Sequence, residues 1–158
     1  MADRPLQYAV YKGMSNKWGA AQFDFKPPVL ASIVPKVEGE EGIIFLAATS
    51  TSGPNQYDWT KKIVFALSVI DQGKILTGLL GKQDVSLVHD PGANSPNKGQ
   101  VVKTLSFSAP GGWEKGCMLN LSQKKGEDSL KHTVPLSPDE VTVLKSLFGR
   151  AIYRSLGW

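Results

Sequence analysis

The sequence predicts an α+β fold: two four-stranded antiparallel β-sheets with helices gathered on one side. Three observations predict it. Apolar and polar residues alternate through most of the 158 residues, the period of a strand with one buried face. The alternation gives way to helical spacing twice, after Ser68 and after Ser137. The order of elements is the same in both halves, strand-strand-strand-strand-helix, although the residues themselves show no obvious repeat.

Tyr8 and Val10 share one face of a first strand, and Ala21, Phe23 and Phe25 share one face of a second that ends at Pro27-Pro28. The continuous apolar run from Ile43 to Thr49 suits a strand buried on both faces, and Ile63, Phe65 and Leu67 line a fourth strand. Val69, Ile70, Ile75, Leu76, Leu79 and Leu80 then follow helical spacing, with Gly73 and Gly78 working against the helix. In the second half, Val85 and Leu87 mark a strand ending at His89-Asp90-Pro91. Val101, Leu105 and Phe107 mark the next, Cys117, Leu119 and Leu121 a third, and Leu130, His132, Val134 and Leu136 a fourth. Ser137-Pro138-Asp139-Glu140 opens the final helix: Ser137 caps, Pro138 suits the first turn, and Glu140 completes a capping box. Val141, Leu144, Leu147, Phe148, Ala151 and Ile152 form its apolar stripe. Between the second and third strands, Val29 to Glu41 reads as an edge strand or a loop packed over the sheet.

Residues 1–158 read as one domain. Lys and Arg number 18 against 14 Asp and Glu, a net charge of +4 that favours anionic partners without demanding nucleic acid. A single cysteine, Cys117, excludes an internal disulfide framework and a cysteine-cluster zinc site. The two histidines have no metal-ligand spacing, and no nucleophile elbow or phosphate loop is present. The chain is therefore expected to be neither an enzyme nor a metalloprotein, and to need no cofactor. No run of about 18 apolar residues suggests a membrane span, and Met1 to Pro5 lacks an apolar signal region.

The stretch Gln56-Tyr57-Asp58-Trp59-Thr60-Lys61-Lys62 runs into the apolar Ile63-Val64-Phe65-Ala66-Leu67-Ser68. Two aromatics and two lysines sit at the mouth of a strand. Aromatic faces stack unpaired bases and lysines hold phosphates, the combination a single-stranded nucleic-acid binder requires. Aromatics at strand ends also serve as ordinary packing.

Several segments together identify a resemblance: Tyr11-Lys12-Gly13, the Gln56 to Ser68 stretch, His89-Asp90-Pro91 leading to Asn97-Lys98-Gly99, Val102-Lys103-Thr104-Leu105, Asn120-Leu121-Ser122 and the ending Leu156-Gly157-Trp158. In order and spacing the chain resembles the Whirly family of plant and algal single-stranded DNA-binding proteins. The resemblance implies two four-stranded antiparallel sheets held by a helix–loop–helix element and a homotetramer with fourfold symmetry. It also implies largely sequence-independent binding, with bases inserted between apolar and aromatic side chains. The family's Lys-Gly-Lys-Ala-Ala-Leu region departs here to Lys12-Gly13-Met14-Ser15-Asn16-Lys17-Trp18-Gly19-Ala20-Ala21, which leaves assembly beyond the tetramer open.

On this reading Tyr57 and Trp59 share parity and face one side if the strand begins that early, forming a base-stacking slot. Lys61 and Lys62 alternate, so one reaches phosphate. Tyr11 and Lys12 lie on the first strand, where the family binds DNA. Lys17 and Trp18 form a cation–aromatic pair in which Trp18 either stacks a base or caps the turn. Lys98 and Lys103 are candidate phosphate contacts, and Lys103 interrupts an apolar face. Asn120 is placed to hydrogen-bond a base edge. The expected function is single-stranded DNA binding in DNA maintenance, repair or recombination, extending to transcription regulation, with weak affinity for duplex. RNA binding or annealing is the alternative, since kinetoplastid mitochondrial RNA-binding proteins resemble this fold. A structural β-sandwich assembly protein is a third reading. No residue selects a compartment: plastid, mitochondrion or nucleus would follow for a eukaryotic mature chain, cytoplasm for a bacterial one.

Overall fold

The computed structural model describes residues 5–14, 17–28, 42–90, 96 and 98–157. The Val29–Glu41 segment, read above as an edge strand or packed loop, lies outside them, as do Pro91, Asn97 and Trp158. The first sheet contains β1 (Gln7–Tyr11), β2 (Gly19–Lys26), β3 (Ile43–Gly53), β4 (Gln56–Tyr57) and β5 (Ile63–Leu67). Its strands pair antiparallel in the order β1-β2-β3. Along the free edge of β3, Ile44–Ala48 pair with β5, and Thr51 and Gly53 pair with β4. The sheet is thus four strands wide with a small hairpin beyond β5. Helix α1 (Val69–Gly81) follows, and then β6 (Val85–His89), β7 (Val101–Ser108), β8 (Cys117–Lys125) and β9 (Asp128–Leu136) form a four-stranded antiparallel meander. Helix α2 (Pro138–Ser155) ends the chain's described structure and packs against α1.

The inner faces are those the alternation marks. Rows such as Tyr8–Phe23–Leu46–Phe65 and Leu87–Leu105–Leu121–His132 run across the two sheets. Together they form one continuous core with Val141, Leu144, Leu147, Phe148 and Ala151 of α2. Strand β9 touches β1, β2 and β3 in turn, so it crosses the first sheet instead of running along it. The Ile43–Thr49 run, expected to be buried on both faces, alternates: Ile44, Leu46 and Ala48 are fully buried while Phe45 and Ala47 are only partly covered.

Both helices start as the sequence dictates. Ser68 with Asp71, and Ser137 with Glu140, form complete capping boxes that satisfy the first free backbone N–H groups. The glycines of α1 have a packing reason at one position. A Cβ on Gly78 would overlap the Val85 side chain, so the bare backbone lets α1 close onto β6.

Candidate nucleic-acid interface

Antiparallel pairing brings the end of β1, the start of β2 and the overhanging tip of β3 to one end of the first sheet. Tyr11 pairs with Ala20, which pairs with Thr49, so Tyr11 projects from the outer face and is 55% exposed. Its ring centroid lies 5.6 Å from that of Tyr57, and the Tyr57 ring lies 6.5 Å from Trp59, both pairs tilted. The Tyr11 hydroxyl accepts a hydrogen bond from Gln22 Nε2 at 3.2 Å. Gly13 makes the cluster possible: a Cβ there would lie 2.5 Å from Tyr57 Oη and 3.0 Å from the Asn55 backbone. Its carbonyl also accepts from Asn55 N–H, tying the loop after β1 to the β3–β4 hairpin.

The three aromatics gather, but not through strand parity. The strand does not begin before Ile63. Tyr57 ends β4, and Trp59 opens a 3₁₀ turn, Trp59–Lys61. Asp58 is the cause: its carboxylate accepts from the Thr60 hydroxyl and from Thr60 N–H, an Asx-type cap that bends the chain away from extension. The Thr60 hydroxyl, more than the Thr60 N–H and nearby Lys61, holds the Asp58 carboxyl below its ordinary value.

This turn is anchored from both sheets. The Thr49 hydroxyl donates to Asp58 O at 2.5 Å. From the second sheet, His132 Nε2 lies 2.7 Å from Lys61 O, and its Nδ1 lies 2.6 Å from Ser50 Oγ. A carbonyl only accepts, so Nε2 carries the proton and Nδ1 accepts from the Ser50 hydroxyl. A cleft of about 270 Å³ opens here, lined by Thr49, Ser50, Asp58, Lys61, Lys131 and His132 among others. The sequence marks His132 only as a member of the last strand's apolar face and singles out neither Ser50 nor Thr49. The signal was a histidine at a buried register, where both ring nitrogens need partners.

His132 is 2% exposed, and burial pushes its pKa below the ordinary 6.5 against the pull of the Lys61 carbonyl. The unfolded chain therefore binds this proton more readily than the folded one. The stability tied to a neutral His132 is complete above about pH 6.5 and declines as pH falls. We expect a lower thermal midpoint at about pH 5.5 than at about pH 7.5, and a flatter profile over that range in His132→Gln. A variant profile as steep as that of the parent would contradict this.

Lys61 and Lys62 are both exposed beside the aromatics. Lys17 Nζ sits 4.6 Å from the centroid of the Trp18 ring, and Trp18 O accepts from Thr51 N–H at 2.9 Å, so this pair belongs to the same end of the sheet. Lys12 Nζ lies 2.6 Å from Glu140 Oε1 at the start of α2. Burial pushes the Glu140 carboxyl up, but hydrogen bonds from Lys12 and Ser137 outweigh it and leave the carboxyl below its ordinary value. Lys12 is thus turned away from the aromatic cluster, and three further expected nucleic-acid contacts lie elsewhere. Lys103, read as a phosphate contact, sits on the inner face and donates to Val64 O at 2.7 Å. That bond satisfies the buried end of a lysine that would otherwise cost desolvation, and it links the two sheets. Lys98 is exposed in the loop before β7, where Gly99 N–H donates to Asp90 Oδ2. Asn120 is on the outer face of the second sheet and accepts from the Thr133 hydroxyl at 2.8 Å, away from the aromatic cluster.

Among the described residues no group of His, Cys, Asp and Glu could hold a metal ion, and no helix is long and apolar enough to cross a membrane. Burial raises the Cys117 thiol to about 12, which keeps it protonated.

The model of the family described as Whirly transcription factor matches residues 10–147. A maize (Zea mays) relative, single-stranded DNA-binding protein WHY1, chloroplastic, is 33% identical over 160 residues. The match covers 96% of this chain and 56% of the relative, so the chain spans just over half the length of that protein. The crystal structure of WHY1 from Arabidopsis thaliana is similar over 100% of this chain and 89% of its own, at a TM-score of 0.81 and 27% identity. A guide-RNA-binding protein complex bound to a gRNA is similar in fold alone, at a TM-score of 0.60 and 11% identity over 98% of this chain and 94% of its own. With a family model matched across most of its length and the same two-sheet architecture in a family structure, this chain belongs to the Whirly family.

Proposed function

We propose that this chain binds single-stranded DNA, with little sequence preference, through the aromatic end of its first sheet. The observation that carries this is the Tyr11–Tyr57–Trp59 cluster with Lys61 and Lys62 exposed beside it. Open ring faces offer stacking to any base, and adjacent ammonium groups meet the phosphates between bases. The partly covered Phe45, Ala47 and Val64 continue an apolar shelf along the outer face from that cluster. The name of the maize relative supports the same ligand. Duplex hides its base faces and is expected to bind weakly.

The acting form is a homotetramer. Support comes from exposed apolar side chains on α1: Ile70, 66% exposed, lines a cleft of about 660 Å³ between α1 and β6, and Leu80 is 63% exposed on the same helix. A patch of that kind on a water-soluble surface marks an interface.

Fluorescence anisotropy tests the ligand. A labelled oligonucleotide of about 30 nucleotides is titrated as single-stranded DNA, as RNA and as duplex at several salt concentrations. Single-stranded DNA is expected to bind most tightly, with log affinity falling linearly with log salt by about 0.7 per neutralised phosphate. Lys61→Gln or Lys62→Gln should make that slope shallower by about 0.7 wherever the replaced ammonium held a phosphate. Equal affinity for duplex would overturn the stacking reading, and preference for RNA would reassign the ligand.

A further inference from the structure

We infer that His132 is a positioning residue for the DNA-binding turn: through its Nε2–H bond to the Lys61 carbonyl, the second sheet sets the aim of Trp59 and Lys61. The inference rests on the proposed single-stranded DNA reading and adds to it a determinant that touches no ligand.

Four observations carry it. His132 lies on β9 at a register position shared with Leu121, Leu105 and Leu87, all apolar. An imidazole there is costly unless both nitrogens are bonded, and both are. Its two bonds reach Ser50 and Lys61, which are 82 and 71 residues away in the chain, so they report the stacking of the sheets and not local structure. The acceptor is the carbonyl of the last residue of the 3₁₀ turn that Trp59 opens. The turn fully buries none of its residues, so its direction depends on hydrogen bonds beside the Trp59–Tyr57 ring contact. The Thr49 hydroxyl holds its entrance at Asp58 and His132 holds its exit at Lys61. A turn fixed at both ends presents its side chains in one orientation. Released at one end, it must order itself on binding, and affinity falls by the cost of that ordering.

Two substitutions separate the bond from the bulk. In His132→Gln the side-chain amide nitrogen reaches the position of Nε2 and can still donate to Lys61 O. In His132→Asn the shorter amide reaches only the Nδ1 position, keeping Ser50 and losing Lys61. Amide hydrogen exchange over residues 56–62 reads the turn without DNA, and anisotropy reads binding to a single-stranded oligonucleotide. The Asn variant should exchange faster in that segment and bind about fivefold to tenfold more weakly, while the Gln variant stays near the parent in both. Equal behaviour of the two variants, whether both loose or both unchanged, would overturn the inference. Faster exchange in the Asn variant of a protein that binds no single-stranded DNA would sink the ligand reading and leave the positioning standing. Should the Asn variant fail to fold, NMR of the parent decides: an Nε2–H tautomer with a slowly exchanging proton is expected, and an Nδ1–H tautomer removes the link to Lys61.

Discussion

Trp59→Ala is expected to weaken single-stranded DNA binding by about tenfold or more while leaving the fold almost as stable as before. Stacking of a base on an aromatic ring contributes roughly 1–3 kcal/mol by truncation, and about 1.4 kcal/mol is tenfold in affinity. Trp59 suits the test because the 3₁₀ turn carrying it buries none of its residues. Tyr57 is a poorer probe, since its ring fits against Gly13 and Tyr11 and its removal would loosen the hairpin as well. The measurement pairs anisotropy with thermal unfolding. A parental affinity in Trp59→Ala would make the indole a packing group, and Tyr11 would then be the ring to test.

The largest stability effect is expected at Phe148. It is fully buried on α2 and meets Phe23 of β2 edge to face, with centroids 6.0 Å apart and planes at 90°. This contact seats the final helix on the first sheet. Phe148→Ala removes the ring and leaves a cavity between two elements that cannot both close on it, at a cost of about 3–5 kcal/mol. For a domain of this size that lowers the thermal midpoint by roughly 10 °C. Circular dichroism melting would show it. A fall of only about 2 °C, under 1 kcal/mol on the same scale, would mean that α2 is not part of the cooperative core.

The core was legible in the sequence because burial and strand period coincide there. Phe23, Phe65, Leu105, Phe107, Leu119 and Leu121 lie inside as their alternation requires. The start of α2 was legible for another reason: its capping box is closed within four residues. The recognition end was only partly legible. Which residue types would gather could be read from the Gln56–Lys62 stretch, but not how. Strand β4 is two residues long and has no periodicity to detect, and one Asp58 side chain replaces an expected strand by a turn. Lys103 and His132 show the other limit. His132 sits in an apolar cross-strand row, Lys103 shares its strand face with Val101 and Leu105, and both are satisfied by backbone carbonyls from the first half of the chain, Lys61 and Val64. Stacking of the sheets decides such contacts, and no local pattern encodes them.

The overhang of β3 has a consequence for how such a protein can change. Only Ile44–Ala48 pair with β5 beside the core, whereas the hairpin of Thr51–Tyr57 projects past it. Substitutions at its exposed positions, Ser52 and Gln56, meet mostly solvent, so they alter what the surface grips without disturbing the folding of the sandwich. The affinity and selectivity of the tip are therefore open to drift or engineering one residue at a time, while the two anchor points at Asp58 and Lys61 set the limit beyond which a new sequence would no longer be held in place.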